Sequence, residues 1–248
     1  MATVSQQAIA RPAPGIVGRN GLIDRYFYFF LSLVVAAVIV AGFSRTVNQG
    51  LIHATPARPV LLWMHGAAFS GWVVFFILQS GLVRIRKVSL HRLIGWFGAA
   101  LAALMVVLGF VVSVVMGRFD ALVMKAPDPA FLSITFYDMF AFGTLVALAI
   151  LWRGKPELHR RLLVLATCGL LDAGFGRYKV VMDYNVFYLC VDAVMLLGVA
   201  RDLLVDKRVH RAYLYALPVL LVGQNVAIYL WRNPPGWWMS MCRETLGI

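Results

Sequence analysis

Four ionisable side chains, His65, Asp138, Asp172 and Asp192, sit inside runs of sequence that are otherwise strongly apolar. In a lipid environment such groups are expensive, so they face a protein interior and invite a functional reading. One imidazole and several carboxylates could bind a divalent cation such as zinc or iron. The same groups could relay a proton or hold a coupling ion, or they could hydrogen-bond neighbouring helices without doing chemistry.

Helix geometry brings them to a similar depth. At about 1.5 Å per residue, His65 lies roughly 10 Å below the outer end of its run, Asp138 about 16 Å, Asp172 about 7 Å and Asp192 about 13 Å. Gln224 falls about 12 Å down by the same measure. His65, Trp72 and Gln79 recur every seven residues and so line one stripe of a helix. Cys168 and Asp172 share a face, as do Tyr188, Asp192 and Met195. The expected pocket is therefore His65, Asp138, Asp172, Asp192 and Gln224 with Trp72 and Gln79, and its strongest metal set is His65, Asp138 and Asp192.

A second group, His91, His159 and His210, stands at three helix starts, each followed by arginine. Three imidazoles could hold a metal, and two at matched depth could clamp a b-type haem. Against this, basic residues at such positions anchor to headgroups, and a helix N-terminus disfavours a cation. A haem on His65 lacks a second buried histidine, leaving only Met139 or Met195 as its mate. Arg177 and Lys179 are expected to pair with Asp172 or Asp183.

Composition fixes what must position these residues. Hydrophobic residues make up 61% of the 248 and charged residues 14%, with a mean hydropathy of +0.80. A soluble domain carries about a quarter charged residues, so lipid must be part of the solvent. With about 20 apolar residues per crossing, the sequence predicts an all-α bundle of seven transmembrane helices near 26–44, 58–82, 92–117, 130–152, 160–176, 184–201 and 211–231. Residues 1–22 are expected to form a flexible tail without the apolar stretch of a cleavable leader. The helical domain spans 23–233, and 234–248 form an outer interfacial tail with Trp231, Trp237 and Trp238 as an aromatic belt.

The net charge of +12 comes from short clusters between apolar runs, which favours topology over nucleic-acid binding. Arg84, Arg86, Lys87 and Arg92, then Arg153, Lys155, Arg160 and Arg161, then Arg201, Lys207, Arg208 and Arg211 share one side. That puts the N-terminus in the cytoplasm and the C-terminus outside. Cys168, Cys190 and Cys242 have no paired spacing, so neither a zinc motif nor a haem-attachment motif is present. No phosphate-binding glycine loop, GxSxG elbow or HExxH helix occurs, and the last span has no lysine for a retinal linkage.

His65-Gly66, Trp72, Gln79 with Leu82-Val83, and His91-Arg92 followed by Gly95-Trp96 form a pattern. Asp138, the segment Leu158-His159-Arg160-Arg161-Leu162 and Val209-His210 extend it. The chain resembles in these a widespread group of uncharacterised bacterial multipass membrane proteins, which implies a bundle in the bacterial inner membrane. Its buried histidines on antiparallel helices also resemble, more loosely, the haem-binding cytochrome b561-type bundles. The expected role is a buried His/Asp pocket in the outer half that binds a small ligand, a proton or a metal ion. The alternatives are a non-catalytic accessory subunit of a larger membrane complex and a redox protein carrying b-haem or metal. No catalytic residue is singled out.

Overall fold

The computed structural model describes residues 19–248, the side chains of residues 19, 20 and 22–24 excepted. Most of the expected N-terminal tail lies outside the described residues. Among the described residues every regular element is helical.

Five segments are long and apolar enough to cross a membrane. They are Arg25–Phe43 within α1 (Arg19–Phe43), α2 (Val60–Arg84), α3 (Val88–Leu122), Pro129–Leu151 containing α4 (Leu132–Leu151), and α9 (Arg211–Arg232). The other two expected crossings differ in kind. The run predicted as one helix over 160–176 is broken into α5 (Pro156–Gly169) and α6 (Asp172–Phe175), and a further short helix, α7 (Lys179–Asp183), follows it. Gly169, Gly174 and Gly176 weaken helix there, at about 1 kcal/mol each relative to alanine. The 14 residues of α5 rise only about 21 Å, short of a roughly 30 Å hydrocarbon layer. Cys168 and Asp172 consequently belong to different helices and share no helical face. The sixth run is α8 (Phe187–Val205). It is long enough, about 28 Å, but carries Asp192, Arg201 and Asp202.

Successive long helices pack on one another, α1 on α2, α2 on α3 and α3 on α4. α9 returns onto α4, and α1 lies against α8 and the short α6. Trp72, Met105, Phe142, Leu165 and Met195 fill the centre. The outward faces carry Val74, Leu93, Phe97, Val107, Phe140 and Val219 in the open, a surface that water would not tolerate and acyl chains would. Two backbones come close where α1 meets α6. A Cβ on Gly42 would collide with the Gly174 carbonyl oxygen, so glycine at 42 is what lets the broken segment nest against α1.

The C-terminal stretch is a docked helix. α10 (Gly236–Leu246) packs on α3 and on the 129–131 turn, burying Trp238, Cys242 and Leu246 beside Leu132. Trp237 is exposed while Trp238 is not, so only the first fits the expected interfacial belt.

Contacts between helix ends gather the basic residues at one end of the bundle. Arg84 lies over the Tyr26 ring, Arg160 and Arg201 over Tyr28, and Arg153 over Trp96. The opposite end is tied by Arg58 to Asp120 at 3.3 Å, by Trp231 Nε1 to Asp128 at 2.9 Å and by Arg232 to Asn185.

Candidate functional site: a buried acid pair

Asp138 projects from α4 into the bundle and is 9% exposed. The break after α5 turns Asp172 toward it, and the two carboxyl groups come close enough to interact directly. Irregular backbone at membrane depth is tolerated only where protein or an internal cavity covers it. Here α1 covers it on one side and Asp138 uses it on the other. Tyr188 of α8, buried, donates its O–H to Asp138 Oδ1 at 2.7 Å, while the Ala173 backbone N–H lies close to Asp172. Two ionised carboxylates have no donor between them, so a hydrogen bond between the pair requires one proton.

Polar contacts continue from this pair. Tyr137, the residue before Asp138, sets its ring edge-on to Tyr188 with centroids 6.0 Å apart and donates its hydroxyl to the Leu220 carbonyl at 2.8 Å. It lies within electrostatic reach of both Asp138 and Asp192. Gln224 Nε2 donates to Asp192 Oδ1 at 3.0 Å. Asp138, Tyr137, Tyr188 and Gln224 line one cavity of about 10 Å³, closed by Phe142, Leu145, Leu165, Met195 and Leu220. That is room for about one water molecule, far below the several hundred Å³ of a small-molecule site. The cavity therefore admits water or a proton and has no space for an organic ligand or a porphyrin.

The other expected pocket residues scatter around this centre. His65 is half-buried and stacks on Phe69 with centroids 4.0 Å apart. It reaches the pair only indirectly, through Arg177, which acts electrostatically on both His65 and Asp172. Trp72 donates Nε1 to Thr167 Oγ1 at 3.3 Å and sets its edge against Phe142, holding α2 to α5 below the cavity. Gln79 is buried on the same stripe, but its backbone lies near the ring of His91. Among the described residues no three His, Cys, Asp or Glu side chains gather closely enough to hold a metal ion. His65, Asp138 and Asp192 thus do not form a coordination set. Lys179 pairs with Asp183 at 2.7 Å as expected, whereas Arg177 lies over Phe43.

The three histidines at the basic end separate into two arrangements. His91 and His159 meet edge-to-face at 6.4 Å, with His159 Nδ1 bonded to the Ala149 carbonyl at 2.8 Å. His210 serves as the N-cap of α9, its Nδ1 accepting the Ala212 backbone N–H at 3.1 Å. Burial and the nearby Arg161 hold the His210 imidazole below its ordinary value, consistent with a neutral ring that can accept.

A charge cluster unforeseen from sequence lies beside it. The Arg161 guanidinium, 1% exposed, bonds Asp202 through Nε at 2.9 Å and Nη2 at 2.6 Å. It also reaches the Glu157 carboxylate at 2.6 Å and Asp206 at 3.0 Å. Arg201 shares Asp202 and Asp206 at 2.9 and 2.5 Å, and the His210 backbone N–H donates to Asp202 at 3.1 Å. The signal was present: Glu157 and Arg161 stand at i and i+4, and Asp202 and Asp206 are the acids in an otherwise basic connection.

Compared with family models, with curated proteins and with solved structures, the chain matches none.

Proposed function

We propose that this polytopic membrane protein takes up and releases a proton at the Asp138–Asp172 pair, on the side of the bundle away from its basic rim. The observation that carries this reading is that two carboxyl groups from different helices face each other, one of them capped by Tyr188, beside a cavity with room for one water. Asp138 carries the hydrogen. Its other oxygen is already engaged by the Tyr188 hydroxyl, and Asp172 has the Ala173 backbone N–H close by, a setting that suits a charged acceptor. Arg177 acts electrostatically on Asp172 and so can balance the charge left when the proton departs. Of the small ligand, proton and metal ion that the acids could hold, the cavity's size favours the proton.

In the same reading α5 to α7 and α8 complete seven crossings, the basic rim faces the cytoplasm of a bacterial cell and the C-terminus lies outside. The distribution of arginine and lysine supports that orientation. A second reading, an accessory subunit whose polar layer is glue, is favoured by the bonds that fasten α4 to α9. Ser133 donates to the Ala227 carbonyl at 2.8 Å and Tyr137 to that of Leu220.

Proton binding by the purified protein after a small pH jump separates the two. Exchange of one proton per chain, missing in Asp172→Asn while the helix content is kept, is the expected result. An unchanged proton count in that variant leaves the glue reading standing.

A further inference from the structure

We propose that the surface where the start of α3 meets the α4–α5 turn binds one anionic phospholipid. Its phosphate is held by Arg92, Arg153 and Lys155, and its acyl chains run along Leu93, Trp96 and Phe97. The cation at the centre is already in place. Arg153 donates Nη1 to the Ile150 carbonyl at 3.2 Å and lies 5.3 Å from the centroid of the Trp96 ring. One hydrogen bond of five potential donors is thus used for positioning, and the rest of the fork is available to an oxyanion. Arg92 stands four residues before Trp96, one turn away on the same face.

The charge around this point is of one sign. Among the described residues no carboxylate forms an ion pair with Arg92, Arg153 or Lys155, nor with Arg84, Arg86 and Lys87 in the adjoining turn. Glu157, the nearest acid in the chain, is taken by Arg160 and Arg161. Arg86 adopts a left-handed backbone conformation (φ 62°) at the end of α2, where glycine is the usual occupant. A guanidinium is kept there despite the local strain.

Directly beside the cations Leu93, Trp96 and Phe97 are each more than 60% exposed. This wall is part of the lipid-facing surface, so a single lipid can place its phosphate on the fork and its chains on the wall together, which a free phosphate cannot do. The site is independent of the acid pair.

The test uses the whole protein, purified in a mild detergent, stripped of lipid and titrated with phosphatidylglycerol, phosphatidylcholine or inorganic phosphate under native mass spectrometry. One phosphatidylglycerol is expected to bind at least tenfold more tightly than phosphatidylcholine, and to weaken as salt rises. The exposed pair Arg92→Gln with Arg153→Gln should lose at least tenfold in that affinity with an unchanged melting temperature. Trp96→Ala should weaken lipid binding alone. Equal affinity for the two lipids, undiminished binding by the double variant, or full competition by inorganic phosphate would each overturn the proposal.

Discussion

Arg161 of α5 and Asp202 of α8 meet through two parallel hydrogen bonds, at 2.9 and 2.6 Å, where neither side chain touches solvent. The fork joins a helix too short to span a bilayer to one too charged to look like a span. The two elements that hydropathy describes least well are therefore held together by charge.

Removing one member of this lock leaves its buried partner with only the outer contacts of the cluster, Glu157 and Asp206 for Arg161 or Arg201 for Asp202, so the cost stays below the about 3–5 kcal/mol of a fully orphaned buried charge. Arg161→Met and Asp202→Leu should each lower the melting temperature of the purified protein markedly. The double variant Arg161→Met with Asp202→Leu should recover much of that loss, because buried ion pairs are often replaceable by apolar groups of similar volume. Additive losses in the double variant would show that the pair is not coupled.

The glycine contact between α1 and α6 sets the position of Asp172. Gly42→Val forces apart two backbones that now touch, an overpacking change of about 1–3 kcal/mol. The expected outcome is a lower melting temperature together with loss of proton exchange at the acid pair. Gly154→Ala, at an open turn with no neighbouring atoms, is the control and should alter neither.

His210 gives a pH dependence of known sign. Its folded value lies below the ordinary 6.5, so the unfolded chain binds the proton more readily. The stability it contributes is fully present above that ordinary value and is lost as pH falls through the lower folded value. His210→Asn keeps a capping side chain and should flatten this part of the pH–stability profile. His210→Ala should also cost about 1 kcal/mol for the lost cap. A profile unchanged in His210→Asn would remove His210 as its origin.

The sequence made some of this legible and hid the rest for physical reasons. Hydropathy found the five apolar spans because burial in lipid leaves no alternative to a long greasy helix. It misjudged 160–176, because glycine spacing breaks a helix without changing its mean hydropathy. Depth along the helices put Asp138, Asp172, Asp192 and Gln224 in one half of the bundle, about 7–16 Å down. It could not foresee which residue faces which, and Gln79 went to the histidine end while sharing a stripe with His65. Arg161 and Asp202 were missed because the positive-inside pattern explains arginines at helix ends before any pairing is considered. Asp202, an acid among cations, was the clue.

The central claim is that one proton is shared between Asp138 and Asp172, and infrared spectroscopy of the purified protein at neutral pH tests it most directly. The account predicts a protonated carboxyl C=O stretch that shifts in deuterated water. It should change frequency in Tyr188→Phe, where a donor is withdrawn, and disappear in Asp138→Asn. A neutral-pH spectrum with no protonated carboxyl band, or one whose band survives Asp138→Asn unchanged, would contradict it.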